Sequence, residues 1–186
     1  KRFKGAHMNI KNVSLFGILV AFVVIARGAW TRLVDAGLGC PDWPGCYGFV
    51  FFPTTEAEVA LAEQRYPAFP YEIDKAIPEV VHRYFAAALG LLAIFIVYLT
   101  HRTEDKQNKR ISIFLLIFIC CQGLFGYLTV SLKLLPIIVT THLFGGFITL
   151  STFFYLYIKN SNFFKNFQIG HLKNLAMLAL FVLVIQ

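Results

Sequence analysis

The sequence predicts an all-α, polytopic membrane protein. The expected architecture is an up-down bundle of four transmembrane helices, followed by the start of a fifth span, with a short external helix in the first loop. Hydrophobic residues make up 58% of the 186 residues and charged residues only 15%, whereas soluble domains average roughly 45–50% and 25%. The apolar residues also fall into runs of about 20, the length that crosses a hydrocarbon core of about 30 Å.

Four apolar runs have the length of a membrane span, and they lie at about 13–33, 78–100, 111–132 and 136–158. The second and fourth begin at Pro78 and Pro136, which suits a first helical turn because the missing N–H costs nothing there. A fifth run begins near Leu172 and is still apolar at Gln186. We therefore expect a span that is cut short and a longer parent protein.

The predicted organisation has three parts. Residues 1–7 are read as a vector-derived or upstream extension, residues 8–158 as the four-helix half, and residues 159–186 as an internal loop with the truncated fifth span. The first connection, 34–77, is too long to be a bare connector. Thr55 followed by Glu58 is a capping-box pattern, which predicts a short helix over 55–65.

The formal net charge is +7, and the loops differ in the sign of their charge. Segments 1–12, 101–110 and 159–173 are basic, whereas connection 34–77 carries seven acidic and two basic residues. This alternation follows the positive-inside rule and predicts a cytoplasmic N-terminus and an external first loop in a bacterial inner (plasma) membrane. A nucleic-acid partner would need one contiguous basic face, and none is visible, so the lipid bilayer is the predicted surroundings.

Two of the five histidines, His82 and His142, fall within predicted spans. Ionisable side chains are costly at membrane depth and mark functional sites there. Counted from Pro78 and Pro136, the two lie about 6 and 9 Å down helices that run in the same direction. Because such helices occupy diagonal corners of an up-down bundle, the sequence predicts that both imidazoles bind the iron of one haem, which makes 8–158 a haem-binding half.

The alternative for the histidines is that each only forms a hydrogen bond with a neighbouring helix. Zinc is disfavoured, because no third or fourth ligand occurs at matching depth.

Glu79 and Arg83 flank His82. Glu79 lies three residues before it on the same helix face, and is a candidate proton acceptor beside a bound porphyrin. Arg83 is a candidate partner for a haem propionate. Alternatively, the two residues pair with each other at i, i+4.

The four cysteines form two pairs. Cys40 and Cys46 lie close together in the external loop, where a disulfide is expected. That pair is either a structural staple or a redox-active dithiol. Cys120 and Cys121 are adjacent within the third span and are expected to be buried apolar filler.

Several motifs, taken together, resemble haem A synthase, a family of membrane enzymes. They occur in the same order and spacing over about residues 27–150. The motifs are TRL at 31–33 with GLGCPDWP at 37–44, EVVHR at 79–83, QGLFG at 122–126 with TV at 129–130, and VTTHL at 139–143.

The resemblance implies an oxidoreductase that converts a methyl group of haem O to the formyl group of haem A for cytochrome oxidase biogenesis. Family members have eight spans in two similar halves, and this chain resembles the N-terminal half. The resemblance assigns His82 and His142 to the substrate haem, Glu79 to the carboxylate beside the reacting methyl, and a haem B cofactor to the missing half. It also links Cys40 and Cys46 to electron or haem handling.

The implied partners are haem O, haem O synthase and cytochrome oxidase assembly factors, with the oligomeric state left open. The isolated half is expected to bind haem without turnover. A competing reading is a b-type membrane cytochrome or electron-transfer subunit that uses the same two histidines. A further one is a non-enzymatic membrane protein in which both histidines are structural.

Overall fold

The computed structural model describes residues 2–161, with side chains described from Ile10 onward. The predicted fifth span lies outside the described residues. Five helices form within them, and no named strand does. The helices are α1 (Arg2–Leu33), α2 (Glu56–Arg65), α3 (Ile73–His101), α4 (Lys106–Ser131) and α5 (Pro136–Lys159).

Four of these helices have the length and composition of membrane spans: Ile10–Leu33 of α1 and the whole of α3, α4 and α5. The prediction of an all-helical, multi-pass membrane protein is therefore confirmed. The spanning part of α1 covers 24 residues, which is about 36 Å of helix and enough for the hydrocarbon core.

The spanning helices form a ring of four. α1 and α4 each pack against both α3 and α5, so α3 and α5 occupy diagonal corners as the sequence predicted. We call the end that carries the long 34–72 connection the loop end, and the end that carries the α3–α4 turn the turn end. α1 and α4 run towards the loop end, and α3 and α5 run away from it.

An apolar core fills the turn-end half of the bundle. It comprises Val20, Ala21, Leu89, Ala93, Ile96, Leu115, Phe153 and Leu156. The Phe153 ring lies directly on Gly17 of α1, where even a methyl group would overlap it. Polar side chains are also buried near the turn end, where the hydroxyls of Thr100 and Ser112 pair with each other at 2.7 Å.

The start of α3 differs from the prediction. The helix begins at Ile73 rather than Pro78, and Pro78 lies inside it. The amides of Lys75 and Ala76 donate to the carbonyl of Glu72 and start the helix before the proline is reached. Pro78 removes only the bond to the carbonyl of Asp74, an exposed residue whose carbonyl water can satisfy.

The predicted short helix is confirmed as α2. The hydroxyl of Thr55 accepts from the Glu58 amide at 3.3 Å, and the Glu58 carboxylate accepts from the Thr55 amide at 3.0 Å. Ala62 of α2 packs into a second buried cluster with residues of the loop and of α3, namely Cys40, Cys46, Tyr47, Ala76 and Val80. This second core fixes the connection onto the loop end of α3.

Candidate functional site

His82 lies in the loop-end half of α3 and packs against α1. A Cβ atom on Gly28 of α1 would lie 2.9 Å from Cε1 of the His82 imidazole, closer than side chains normally approach. The ring therefore rests on the α1 backbone, and only glycine leaves room for it there. The Nδ1 atom is buried and has no hydrogen-bond partner.

His142 occupies the corresponding position on α5 and faces α4. A Cβ atom on Gly126 of α4 would lie 3.9 Å from Cε1 and 4.0 Å from Nε2 of this imidazole. Its Nδ1 atom is also buried without a partner. The two imidazoles lie on diagonal helices, and each packs against the glycine of a neighbouring helix.

The two histidines lie at the same level of the bundle. Because α3 begins at Ile73, His82 is nine residues along its helix, deeper than the count from Pro78 implied. The glycines that the two rings contact, Gly28 and Gly126, give a better measure of the depth of the rings in the bundle. Gly28 lies five residues before the end of α1 at Leu33, and Gly126 lies five residues before the end of α4 at Ser131. Both rings therefore sit about 7–8 Å below the loop ends of their neighbours.

Two further polar side chains in this half have unsatisfied buried atoms. They are Arg27 on α1, through Nε, and Gln122 on α4, through Oε1. Arg27 is adjacent to Gly28, and Gln122 packs against Gly145, one turn from His142. With the two histidines, each of the four spanning helices contributes one such atom. Buried polar atoms are rarely left unpaired, so this half of the bundle suits a ligand that has polar groups.

Sequence reasoning did not assign Arg27 or Gln122 to the site. A signal was available for Arg27, because a charged residue inside a span is a functional candidate by default. Gln122 lies in the QGLFG motif, but nothing local shows that its amide meets a glycine of α5.

Glu79 is 5% exposed, and its two carboxylate oxygens have different partners. Oε2 accepts from the Cys40 amide at 3.0 Å, and Oε1 lies 2.5 Å from Nη2 of Arg83. The i, i+4 pair that the sequence left open as an alternative is therefore formed. The carboxylate is directed towards the connection as well as towards its own helix.

Arg83 also forms hydrogen bonds with the connection between α1 and α3. Its Nη1 atom donates to the carbonyls of Asp42 at 2.9 Å and Pro44 at 3.3 Å, and to that of Gly45. Cys40 and Cys46 form a disulfide across the same loop. The Nε–H and the second Nη2 hydrogen are not used in these contacts. Glu79, one turn nearer the loop end than His82, and Arg83, the residue directly after it, thus attach the disulfide loop to α3.

The expectation for the other two cysteines is wrong. Cys120 and Cys121 are exposed on α4 rather than buried. The buried stripe of α4 is formed by Asn108, Ser112 and Leu115, and a helix at the corner of a four-helix bundle buries only one such stripe. Both thiols therefore lie on the outer surface of the span.

The chain is similar to known proteins over most of its length. The family model described as COX15-CtaA, cytochrome oxidase assembly protein, matches residues 11–186. The chain is 41% identical over 170 residues to the heme A synthase of Shewanella oneidensis, which covers 90% of this chain and 51% of that protein. The chain therefore spans about half the length of this curated relative.

Proposed function

Since the chain belongs to the COX15-CtaA family of cytochrome oxidase assembly proteins, we propose that it is the N-terminal, haem-binding half of a haem A synthase. In this proposal the bound haem is the substrate haem O, and one of its methyl groups is oxidised to the formyl group of haem A. The domain assignment remains 8–158 for the haem-binding half and 159–186 for the internal loop and fifth span.

The observation that carries the proposal is the placement of His82 and His142. Their helices are diagonal, their rings lie at one level, and both Nδ1 atoms are buried without a partner. Two imidazoles on diagonal helices suit the ligand set of a bis-histidine haem. Within the described residues, no three His, Cys, Asp or Glu side chains form a group able to hold a bare metal ion. A porphyrin, which brings its own equatorial nitrogens, fits this donor set.

The haem would supply the redox chemistry of its iron, and the chain would supply orientation, charge and a proton acceptor. We assign Glu79 as the proton acceptor, because it lies three residues before His82 and is withdrawn from solvent. Arg83 retains an Nε–H and one Nη2 hydrogen after its loop contacts, and these donors suit a propionate. The disulfide loop that both residues hold would cover the haem on this side.

The proposed membrane orientation follows from the charge distribution, and the proposed cofactor and partners follow from the family. The N-terminus is placed in the cytoplasm and the 34–77 connection outside the plasma membrane of a bacterium, because the basic segments lie in the other loops. A haem B cofactor is assigned to the half of the protein that follows. Haem O synthase and cytochrome oxidase assembly factors are the proposed partners.

The test is haem binding by His82→Ala and His142→Ala, measured from the reduced absorption spectrum of protein purified in detergent. Each substitution should remove most of the bound haem. His101→Ala is the matched control, since His101 is exposed at the turn end of α3 and, among the described residues, forms a hydrogen bond with the Val97 carbonyl of its own helix. Full haem occupancy in both bundle variants would overturn the proposal.

Catalysis needs a separate measurement. In the full-length protein, Glu79→Gln should abolish haem A formation while haem stays bound. If product formation continues unchanged, Glu79 is not the proton acceptor, although the binding site would stand.

A further inference from the structure

The connection contains an apolar segment, Phe49 to Phe52, in a stretch without charged residues between Asp42 and Glu56. Phe49 and Phe52 turn inward and pack against the buried cluster around the disulfide. Val50 and Phe51 turn outward and are 76% and 58% exposed. An exposed apolar pair at a loop tip is costly in water, so its surroundings need to be identified.

Tyr84 of α3 fixes the position of this tip. Its hydroxyl donates to the Val50 carbonyl at 2.9 Å, and its ring stacks on Phe51 with centroids 4.8 Å apart. Tyr84 is itself 40% exposed on the outer surface of the bundle. The tip therefore lies on the outside of α3, at the level of Tyr84.

Tyr84 is the first residue of the uncharged part of α3. Asp74, Lys75, Glu79 and Arg83 all precede Tyr84 in α3, and no Asp, Glu, Lys or Arg follows it up to Thr100. This charge-free stretch is about 25 Å long. A tyrosine at its first residue occupies the interfacial position where such rings are enriched.

A second contact places the connection at the same boundary. The Trp43 ring meets the ring of Tyr127, near the loop end of α4, edge-to-face with centroids 6.1 Å apart. Both rings are partly exposed, Trp43 at 42% and Tyr127 at 44%. The connection thus contacts tyrosine rings of two neighbouring spans, Tyr84 of α3 and Tyr127 of α4.

We propose that Val50 and Phe51 insert into the acyl-chain boundary of the adjacent leaflet, so that the connection is a membrane-embedded wedge. The occupant of their exposed surface is lipid, because that surface continues the exposed apolar side of α3 through the Phe51–Tyr84 stack. This inference does not depend on haem binding.

The experiment places a nitroxide label at Phe51→Cys in a Cys120→Ala, Cys121→Ala background, which leaves the Cys40–Cys46 disulfide intact. The chain is reconstituted in vesicles of phosphatidylethanolamine and phosphatidylglycerol. The measurement is the ratio of label accessibility to oxygen, which concentrates in lipid, and to a water-soluble nickel complex. Val50→Cys is a second reporter, and Glu63→Cys, exposed on α2 of the same connection, is the aqueous control.

The expected result is a ratio above one at 50 and 51 and below one at 63. Nickel access at 51 equal to that at 63 would place the tip in water and overturn the proposal. Exclusion of both reagents at 51 would overturn it in favour of a protein contact, which cross-linking of labelled chains would identify as a second copy.

Discussion

The backbone amide of Cys40 donates to the carboxylate of Glu79, 39 residues away in sequence, at 3.0 Å. This bond joins the disulfide loop to the helix that carries His82. Arg83 completes the junction, since it pairs with Glu79 and donates to three loop carbonyls. The stability of the loop and the geometry around His82 therefore depend on the same two side chains.

Removing Arg83 should destabilise the protein strongly. The Glu79–Arg83 pair is largely buried, with the side chains 6% and 13% exposed, and breaking such a pair leaves an uncompensated charge at a cost of about 3–5 kcal/mol. Arg83→Ala should lower the thermal midpoint in detergent accordingly. Arg83→Lys should restore little, because an ammonium cannot reach the carboxylate and the loop carbonyls together.

Lys75→Met is the control for Arg83→Ala. Lys75 pairs with Glu72 at 3.0 Å, but those side chains are 35% and 52% exposed, and such pairs contribute under about 1 kcal/mol. Similar losses from the two substitutions would show that the buried junction has no special energetic role.

Gly28→Ala should impair haem binding. The new methyl group would lie 2.9 Å from Cε1 of His82, so the imidazole must move from its place on α1. The readout is bound haem per protein, from the reduced spectrum. Gly123→Ala is the matched control, since nothing lies within 4 Å of the Cβ position there and both changes gain similarly from the helix preference of alanine. Unchanged haem in both variants would argue against a ligand role for His82 in this position.

Gly145→Ala should destabilise the contact between α4 and α5. A methyl group at Gly145 would overlap the amide of Gln122, and overpacking of this kind costs about 1–3 kcal/mol. Combining it with Gln122→Ala should recover much of the loss, because the overlapping group is then gone. Thermal unfolding of the two single variants and the double variant measures the coupling. Strict additivity would mean that the two residues do not meet.

The turn end should become less stable in acid because of Asp105. Burial raises the pKa of this carboxyl, but the hydrogen bond from Lys159 and the amides of Asn108 and Gln107 outweigh it, so the pKa is lowered from its usual 3.8. A lowered pKa means that the ionised form stabilises the folded state. This contribution is fully present above about pH 3.8, the ordinary value, and is lost as the pH falls through the folded value.

Asp105→Asn should therefore flatten the dependence of the thermal midpoint on pH in that acidic range. Glu104→Gln is its neighbour and control, since Glu104 is exposed and has no ion pair among the described residues. An unchanged acid profile in Asp105→Asn would show that the Lys159 contact, at 2.8 Å, does not affect stability.

The membrane spans, the short capped helix and the position of both histidines near the loop end could be predicted from the sequence. These features depend on local properties: the length of an apolar run, a side-chain pattern at i and i+3, and the number of residues from a helix end. Two details of the same kind were wrong. α3 starts at Ile73 because hydrogen bonds to Glu72 begin it before the proline, and Cys120 and Cys121 face outward because the bundle buries another stripe of α4.

The contacts between distant segments could not be predicted from the sequence. The glycine beneath His82, the loop carbonyls around Arg83 and the unsatisfied atoms of Arg27 and Gln122 belong to segments far apart in sequence. Such contacts depend on the rotation of each helix about its axis and on the path of the 34–72 connection. The hydrophobic pattern of a span constrains that rotation weakly, because lipid accepts apolar side chains on every face.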